Sequence, residues 1–269
     1  MEQFLIVNVP GPVLAIGFVV LSVAAGLGGL FIVRRNVALA TLESHNDVAG
    51  FIIAVVGVLY AVILGFVVVI VWQQFDNAQS NAHSEAVTVE NLYNNSVAFG
   101  DQARPLQRDL LAYVSHAINY EWPAMRDHQH GDQATDALLD RAWTELQAIR
   151  TTGPTQDAFY SQSITAINRL EEERSARLDD ASRSLPFALW SVLIVGAIIT
   201  VGFTYFFGVS HFAAHAMMVA ALSAIIGVAL FLAVSLDLPY SGDLGIKPTA
   251  LEHTVAELRA HPLAIPANH

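Results

Sequence analysis

Residues 48–99, VAGFIIAVVGVLYAVILGFVVVIVWQQFDNAQSNAHSEAVTVENLYNNSVAF, decide the fold. The first half, residues 48–72, contains no Asp, Glu, Lys or Arg. It is longer than the roughly 20 apolar residues with which a helix crosses a bilayer. The second half is polar, and no proline interrupts either half. The stretch therefore predicts one helix of about 50 residues, roughly 75 Å long, that continues from lipid into water.

Three further windows also lack charged side chains: residues 13–33, 185–208 and 212–236. The 269-residue chain is 54% hydrophobic and only 14% charged, whereas a soluble domain carries about 25% charged residues. The four windows predict four transmembrane helices in two hairpins, residues 1–72 and 185–236.

The segment between the hairpins, residues 73–184, has the composition of a soluble domain. It carries nine Arg and 17 Asp plus Glu, a net charge of −8. Its apolar residues recur with a helical period and no alternating strand pattern is present. We expect an acidic bundle of four helices, with helices two and three of the membrane part extending into it. Residues 237–269 are expected to form a polar tail. The fold class is thus an all-α membrane protein with four transmembrane helices and a helical-bundle insert between helices two and three.

The membrane location and the orientation are argued from the positive charges. The first apolar window is 21 residues long and ends at Arg34 and Arg35, which favours a retained helix over a cleaved signal peptide. This predicts a multi-pass protein of the inner or plasma membrane. Counting basic residues in the short loop places Arg34 and Arg35 inside, and hence the insert on the extracytoplasmic side.

The long helix carries a seam of residues spaced three and four apart, and we expect it to face copies of itself around an axis. A seam kept over seven heptads implies supercoiling against neighbours. Small residues at one end permit close helix packing, within one subunit or between subunits. In the second case the bulky apolar residues would form rings that constrict a pore and gate it by dewetting. The pore-lining candidates are Gly57, Ala61, Leu64, Val68, Val71 and Phe75.

Two acidic residues occupy positions where apolar ones are expected. Glu85 falls on the seam between Ala82 and Val89, and Glu121 stands beside Trp122 near the end of a stalk helix. Each could pair with one of the nine arginines of the insert. Alternatively, rings of these carboxylates at a pore mouth would tune which ions enter.

Enzyme signatures are missing from the sequence. It has no Cys and no zinc-protease, phosphate-loop or dinucleotide motif, so no cofactor is expected. His128, His130 and Asp132 could bind a metal, but a fourth ligand at typical spacing is lacking, so we predict no metal site. The net charge of −11 disfavours a nucleic-acid partner. No Asp, Glu, Lys or Arg lies inside the four windows, which argues against ion-coupled transport.

Several motifs resemble the bestrophin-like family of four-helix membrane proteins. They are Gly57–Phe66, Trp72, Phe75, Ala78, Glu85–Ala86, Leu92–Tyr93, Tyr120–Pro123 and Leu238–Leu244. The family is remotely similar to true bestrophins, so the resemblance implies a homo-oligomer, by analogy a pentamer, and an anion channel whose insert lies in the cytosol. True bestrophins have a Pro-rich neck on their second helix, whereas residues 48–99 contain no proline.

The sequence therefore predicts an oligomeric ion channel in the lipid bilayer, with an axial pore lined by helix two and an acidic vestibule. The acidic balance favours cations and the resemblance favours anions, so the selectivity for small inorganic ions stays open. The alternatives are a membrane-anchored sensor or scaffold whose stalk binds a partner without conductance, and an uncoupled pathway for small molecules.

Overall fold

The computed structural model describes residues 9–43, 46–126 and 131–260, and within these ranges the chain is helical with no β-strand. A 3₁₀ segment, Val97–Ala103, and a π-helical turn, Ala117–Glu121, join some of the helices. The helices are α1 Gly11–Asn36, α2 Leu39–Glu43, α3 Asn46–Ser96, α4 Arg104–His116, α5 Trp122–Arg126, α6 Gln133–Ala148, α7 Pro154–Ser182, α8 Phe187–Thr204, α9 Phe212–Asp237 and α10 Thr249–Ala260.

Four of the described helices, α1, α3, α8 and α9, contain windows long and apolar enough to cross a membrane. They coincide with the four uncharged windows of the sequence, so the predicted all-α membrane fold with four transmembrane helices is confirmed. Helix α3 is 51 residues long and continues through Trp72 without interruption. A helix satisfies its own backbone hydrogen bonds, which is why it can cross lipid.

The chain divides into two compact units. The first, called the membrane unit, contains the described residues up to Gln74 together with Ser184–Leu238 and Gly242–Leu244. The second, called the bundle unit, contains Phe75–Arg183, Pro239–Ser241 and the described residues from Gly245 onward.

In the membrane unit, α1 and α9 pack closely and run antiparallel. The backbone N–H of Gly11 donates a hydrogen bond to Asp243 Oδ2 at 2.6 Å. Further along α1, Gly26 lies against Ser223, so closely that an added Cβ would be 2.3 Å from Ser223 Oγ. On α9, Gly227 lies equally close to α1. Glycine at these contacts allows the two backbones to approach, as is usual between membrane helices.

The loop between α8 and α9 forms hydrogen bonds with the end of α1 and the start of α3. The side-chain amide of Asn46 accepts a hydrogen bond from the Gly208 N–H at 2.8 Å and donates one to the Gly208 carbonyl at 3.3 Å. The guanidinium of Arg34 donates to the Val209 carbonyl at 2.7 Å and lies over the Phe212 ring. These contacts use the polar ends of otherwise apolar helices.

Helices α7 and α8 are separated, whereas the third membrane helix is expected from the sequence to extend into the insert. Helix α7 ends at Ser182 and α8 begins at Phe187. Pro186 accounts for the break, because proline lacks an N–H and disfavours helical geometry in the residue before it. The backbone N–H of Leu185, which lies between the two helices, donates a hydrogen bond to Asp237 Oδ1 at 2.7 Å.

In the described part of the C-terminal segment, which ends at Ala260, α10 packs into the bundle core, whereas the sequence predicts a polar tail over residues 237–269. In α10, Leu251, Val255 and Leu258 are buried in the apolar core of the bundle unit. The Tyr240 hydroxyl donates a hydrogen bond to the Ala78 carbonyl on α3 at 3.1 Å. The segment alternates short apolar stripes with polar residues, and the composition of the whole tail hides those stripes.

Substitution of Gly26 by Leu should disrupt the packing of α1 on α9, because the added side chain would overlap Ser223 and Val219. We expect the free energy of unfolding to fall by about 1–3 kcal/mol. The measurement is thermal unfolding of the purified protein in detergent. Gly28→Leu on the same helix is the matched control, since nothing lies within 4 Å of a Cβ at Gly28. Equal losses from the two substitutions would contradict this packing.

Candidate functional site

Glu85 points into the core of the bundle unit and is fully buried. Its carboxylate accepts a hydrogen bond from Arg177 Nε at 2.5 Å and a second from Arg177 Nη2 at 3.1 Å. The hydroxyl of Tyr113 donates a third hydrogen bond to Glu85 Oε1 at 2.6 Å. Such fork-shaped pairing is the strong geometry for a guanidinium and a carboxylate.

Arg177 is shared between the two acidic residues noted in the sequence. Its Nη2 also donates to Glu121 Oε2 at 2.6 Å, and its side chain is fully buried. The guanidinium lies 5.0 Å from the centre of the Trp122 ring and donates to the Met125 sulfur at 3.2 Å. Each of the three nitrogens of this buried guanidinium therefore donates a hydrogen bond.

A second arginine completes the network at its outer edge. Arg174 donates to Glu121 Oε1 at 2.5 Å and to Asp136 Oδ1 at 2.5 Å. Arg174 is nearly buried, whereas the Asp136 side chain is 54% exposed. Two buried carboxylates thus face two arginines, which neutralises the charge in the interior before the network reaches solvent.

Local helix geometry places these residues. Pro123 cannot donate to the carbonyl four residues before it, and the preceding turn, Ala117–Glu121, is π-helical. Glu121 at the end of this turn is fully buried. On α7, Arg174 and Arg177 are three residues apart and hence on one face of the helix. That face continues an apolar stripe with Ile167 and Leu170, both fully buried.

The network shifts the pKa values of its members. Burial alone would raise the pKa of Glu121, but the attraction of Arg177 and the hydrogen bond from Arg174 outweigh it, so this pKa is lowered. Burial would lower the pKa of Arg177, but Glu85 and Glu121 raise it well above its usual value. Burial and the neighbouring Glu85 raise the pKa of the Tyr113 hydroxyl well above its usual value. The shifts of Glu121 and Arg177 favour their charged forms, and the shift of Tyr113 keeps its hydroxyl protonated.

Glu85 and Glu121, which the sequence predicts to tune ion entry into a pore, lie in the core of the bundle unit. Both carboxylates are fully buried and paired with arginine. A paired, buried carboxylate neither contacts water nor contributes a free negative charge to an aqueous path. Pairing with arginines of the insert, the other possibility that the sequence allows, describes both residues.

The six pore-lining candidates on α3 differ in their exposure. Val71 is fully buried within its own chain. Ala61 is exposed, whereas Gly57, Leu64, Val68 and Phe75 are half-buried. The seam thus lies on the flank of the face that the membrane unit covers.

The covered face of α3 in the membrane unit is centred on Tyr60, Val67 and Val71, all buried. Tyr60 packs on α8, where a Cβ at Gly196 would lie 2.5 Å from its ring. The opposite, uncovered face is apolar and strongly exposed, with Val55, Val58, Val62, Phe66 and Val69 between 49% and 66% exposed. A strict heptad seam rotates by about 20° per heptad on a straight helix, which explains why it does not follow one face throughout.

No group of three or more His, Cys, Asp or Glu among the described residues could hold a metal ion. Of the three residues weighed for a metal site, His128 and His130 lie outside the described ranges. Asp132 is the N-cap of α6, where its carboxylate accepts hydrogen bonds from the Thr135 N–H at 3.1 Å and the Thr135 hydroxyl at 3.3 Å. It also lies 3.1 Å from His116 Nδ1.

A family model for the Bestrophin-like domain matches residues 20–251 of the sequence. The chain belongs to the Bestrophin-like family. No curated protein sequence matches it. This membership agrees with the motifs of the long helix and of the segment that follows the fourth transmembrane helix.

Solved structures of a bacterial bestrophin homolog from Klebsiella pneumoniae share the fold. One point variant of that homolog has a TM-score of 0.65 at 13% identity, over 89% of this chain and 98% of that one. A second has a TM-score of 0.62 at 14% identity, over 93% and 99%. A third has a TM-score of 0.63 at 15% identity, over 93% and 97%. At such low identity the likeness extends to the fold.

Substitution of Arg177 by Met should leave Glu85 without its cation and Glu121 with only Arg174. Breaking a buried ion pair on one side costs about 3–5 kcal/mol. Thermal unfolding in detergent measures the loss. Arg104→Met is the control, because Arg104 is 69% exposed and its partner Asp101 is 77% exposed, so their pair should contribute about 0–1 kcal/mol. Similar effects of the two substitutions would contradict the central place of Arg177.

The lowered pKa of Glu121 predicts a loss of stability in acid. A carboxyl whose pKa is lower in the folded state stabilises the fold above its unfolded value, about 4.3, and that contribution disappears as pH falls through the folded value. Unfolding temperatures should therefore drop below about pH 4. The Glu121→Gln variant should have a lower unfolding temperature at neutral pH, and that temperature should change less with pH than in the wild type. A wild type that gains stability on acidification would contradict this.

Proposed function

We propose that the protein is an oligomeric ion channel of the inner or plasma membrane, with α3 of each copy around an axial pore. The observation that carries the proposal is the uncovered face of α3. Its own chain leaves a long apolar face open in the membrane unit, and the same helix continues into the polar bundle unit without a break. Family membership and the shared bestrophin fold support the proposal.

The transport mode follows from the charges. The four apolar windows that predict the transmembrane helices contain no Asp, Glu, Lys or Arg. Pumps and ion-coupled transporters use such residues near the middle of the membrane to bind and release ions. A path without them suits passive conduction, in which an apolar constriction controls hydration and hence ion flow.

The exposure of the residues of α3 supports a separate role for each side of the helix in this proposal. The middle of the uncovered face, with Val62, Phe66 and Val69, would point to the axis and form the constriction. The flank with Gly57, Ala61, Leu64 and Val68 would contact α3 of the neighbouring copy, because small side chains allow close helix approach. Val71 would have no part in the pore.

Lipid is the other possible neighbour of this apolar face, and flux measurements separate the two cases. Phe66→Ala should widen the constriction and raise ion leak through liposomes several-fold, because a wider apolar neck holds water more easily. Val71→Ala is the matched control, since it removes buried volume away from the proposed pore. It should lower stability without raising leak.

Two outcomes would contradict the channel. One is the absence of ion flux from the wild type in liposomes, which, with cross-linking of the bundle unit to another protein, would favour a scaffold. The other is solute flux without current, which would favour an uncoupled pathway for small molecules. Equal leak from Phe66→Ala and Val71→Ala would contradict the assignment of the constriction.

A further inference from the structure

In the bundle unit, α3 has an uncovered stripe opposite its buried face, and the stripe is wider near its start, where Asn77 and Gln79 are exposed as well. Its exposed members recur every three or four residues, which is the spacing of one helix face. They are Asp76, Ser80, His83, Val87, Asn91 and Asn94. All except Val87 are polar, so the stripe is suited to contact with water and not to burial against another chain.

The stripe continues the uncovered face of the membrane unit. At 3.6 residues per turn, positions seven residues apart differ by only about 20° around the helix. Val69, Asp76 and His83 have this spacing, and all are exposed. If the middle of the uncovered face points to the axis near Phe66 and Val69, the same side of the helix presents Asp76 to the axis about two turns after Val69.

The charges on α3 all have one sign. Residues Asn46–Ser96 contain no Lys and no Arg. Of the acidic residues, Glu85 is buried and paired with Arg177, and Glu90 is half-buried. Asp47 is exposed in the first turn of the helix, about 30 residues from Asp76 along the chain. Asp76 is thus the exposed carboxylate that directly follows the apolar stretch.

The carboxylate of Asp76 is exposed to solvent. Among the described residues, none forms a hydrogen bond or ion pair with its carboxylate. This contrasts with Glu85 and Glu121, whose charges are neutralised by arginine. An unpaired exposed carboxylate keeps its full negative charge toward the solvent.

We propose that Asp76 makes the pore selective for cations. The inference rests on the proposed function, because it requires copies of α3 around an aqueous axis. A ring of carboxylates at the end of an apolar neck raises the local concentration of cations and repels anions. No basic residue of the same helix opposes this field. Salt screens exposed charges over about 10 Å at 0.1 M, so the selectivity should weaken as the salt concentration rises.

The test is the reversal potential of the full-length protein in planar bilayers under a salt gradient. The wild type should favour cations, most strongly at low salt. Asp76→Asn should reduce the cation-to-anion permeability ratio several-fold, whereas Asp76→Glu should keep it. Asp140→Asn is the matched control, because Asp140 is an exposed carboxylate of the bundle unit on α6, away from the stripe. It should leave the ratio unchanged.

A chemical version of the test exploits the absence of cysteine from the chain. In Asp76→Cys, a thiol reagent that adds a negative group should restore the cation preference, and one that adds a positive group should reverse it. Neither reagent should affect the wild type.

The outcomes separate this inference from the channel itself. A wild type that conducts with anion preference, or an Asp76→Asn variant with unchanged selectivity, would overturn the role of Asp76 and leave the channel standing. A wild type without any conductance would overturn both.

Discussion

The constraint on which the structure depends is the satisfaction of backbone hydrogen bonds in lipid. A segment that crosses the hydrocarbon layer must be an uninterrupted helix, because unpaired N–H and C=O groups there cost several kcal/mol each. Helix α3 meets this requirement and then continues for a further 20 or so residues in the bundle unit. Its continuity fixes which side chains share a face over the whole length. The buried face, the apolar uncovered face and the polar stripe are therefore consequences of one helix.

The interior of the bundle unit is organised around Arg177. This cation joins Glu85 on α3 to Glu121 at the end of the π-helical turn. Buried ion pairs rarely add much stability over apolar packing, but removal of one partner is costly. The network therefore specifies how three helical elements meet, and it does so without leaving a free charge. It also removes Glu85 from the set of charges that ions could sense.

The sequence is sufficient to predict the four transmembrane helices and insufficient to predict which of their faces are covered. The uncharged windows predicted four transmembrane helices, since length and composition alone decide that property. The seam from Gly57 to Phe75 follows a strict heptad period. A straight helix departs from that period by about 20° per heptad. Only the packing of Tyr60 on Gly196 shows which face is covered. Pro186 is the residue in the sequence that indicates a break before α8. The apolar residues around it instead favour a continuous membrane helix.

The two acidic residues show a further limit of sequence reasoning. A carboxylate at an apolar position is compatible with a buried pair or with a pore mouth, and the choice depends on where distant arginines lie. Arg177 is 92 residues from Glu85 along the chain. Its place on a stripe with Ile167 and Leu170 was the available sign that it points inward. Asp76 carries no such sign, because its significance comes from its exposure on the uncovered face of α3.

The most direct measurement is an image of the protein in lipid nanodiscs by electron cryomicroscopy, at a resolution that traces helices. We expect several copies around an axis with α3 innermost, and with Phe66 and Asp76 nearer to that axis than Tyr60 and Arg177. A monomer, or an oligomer in which the side of α3 that carries Phe66 faces lipid, would contradict the central claim.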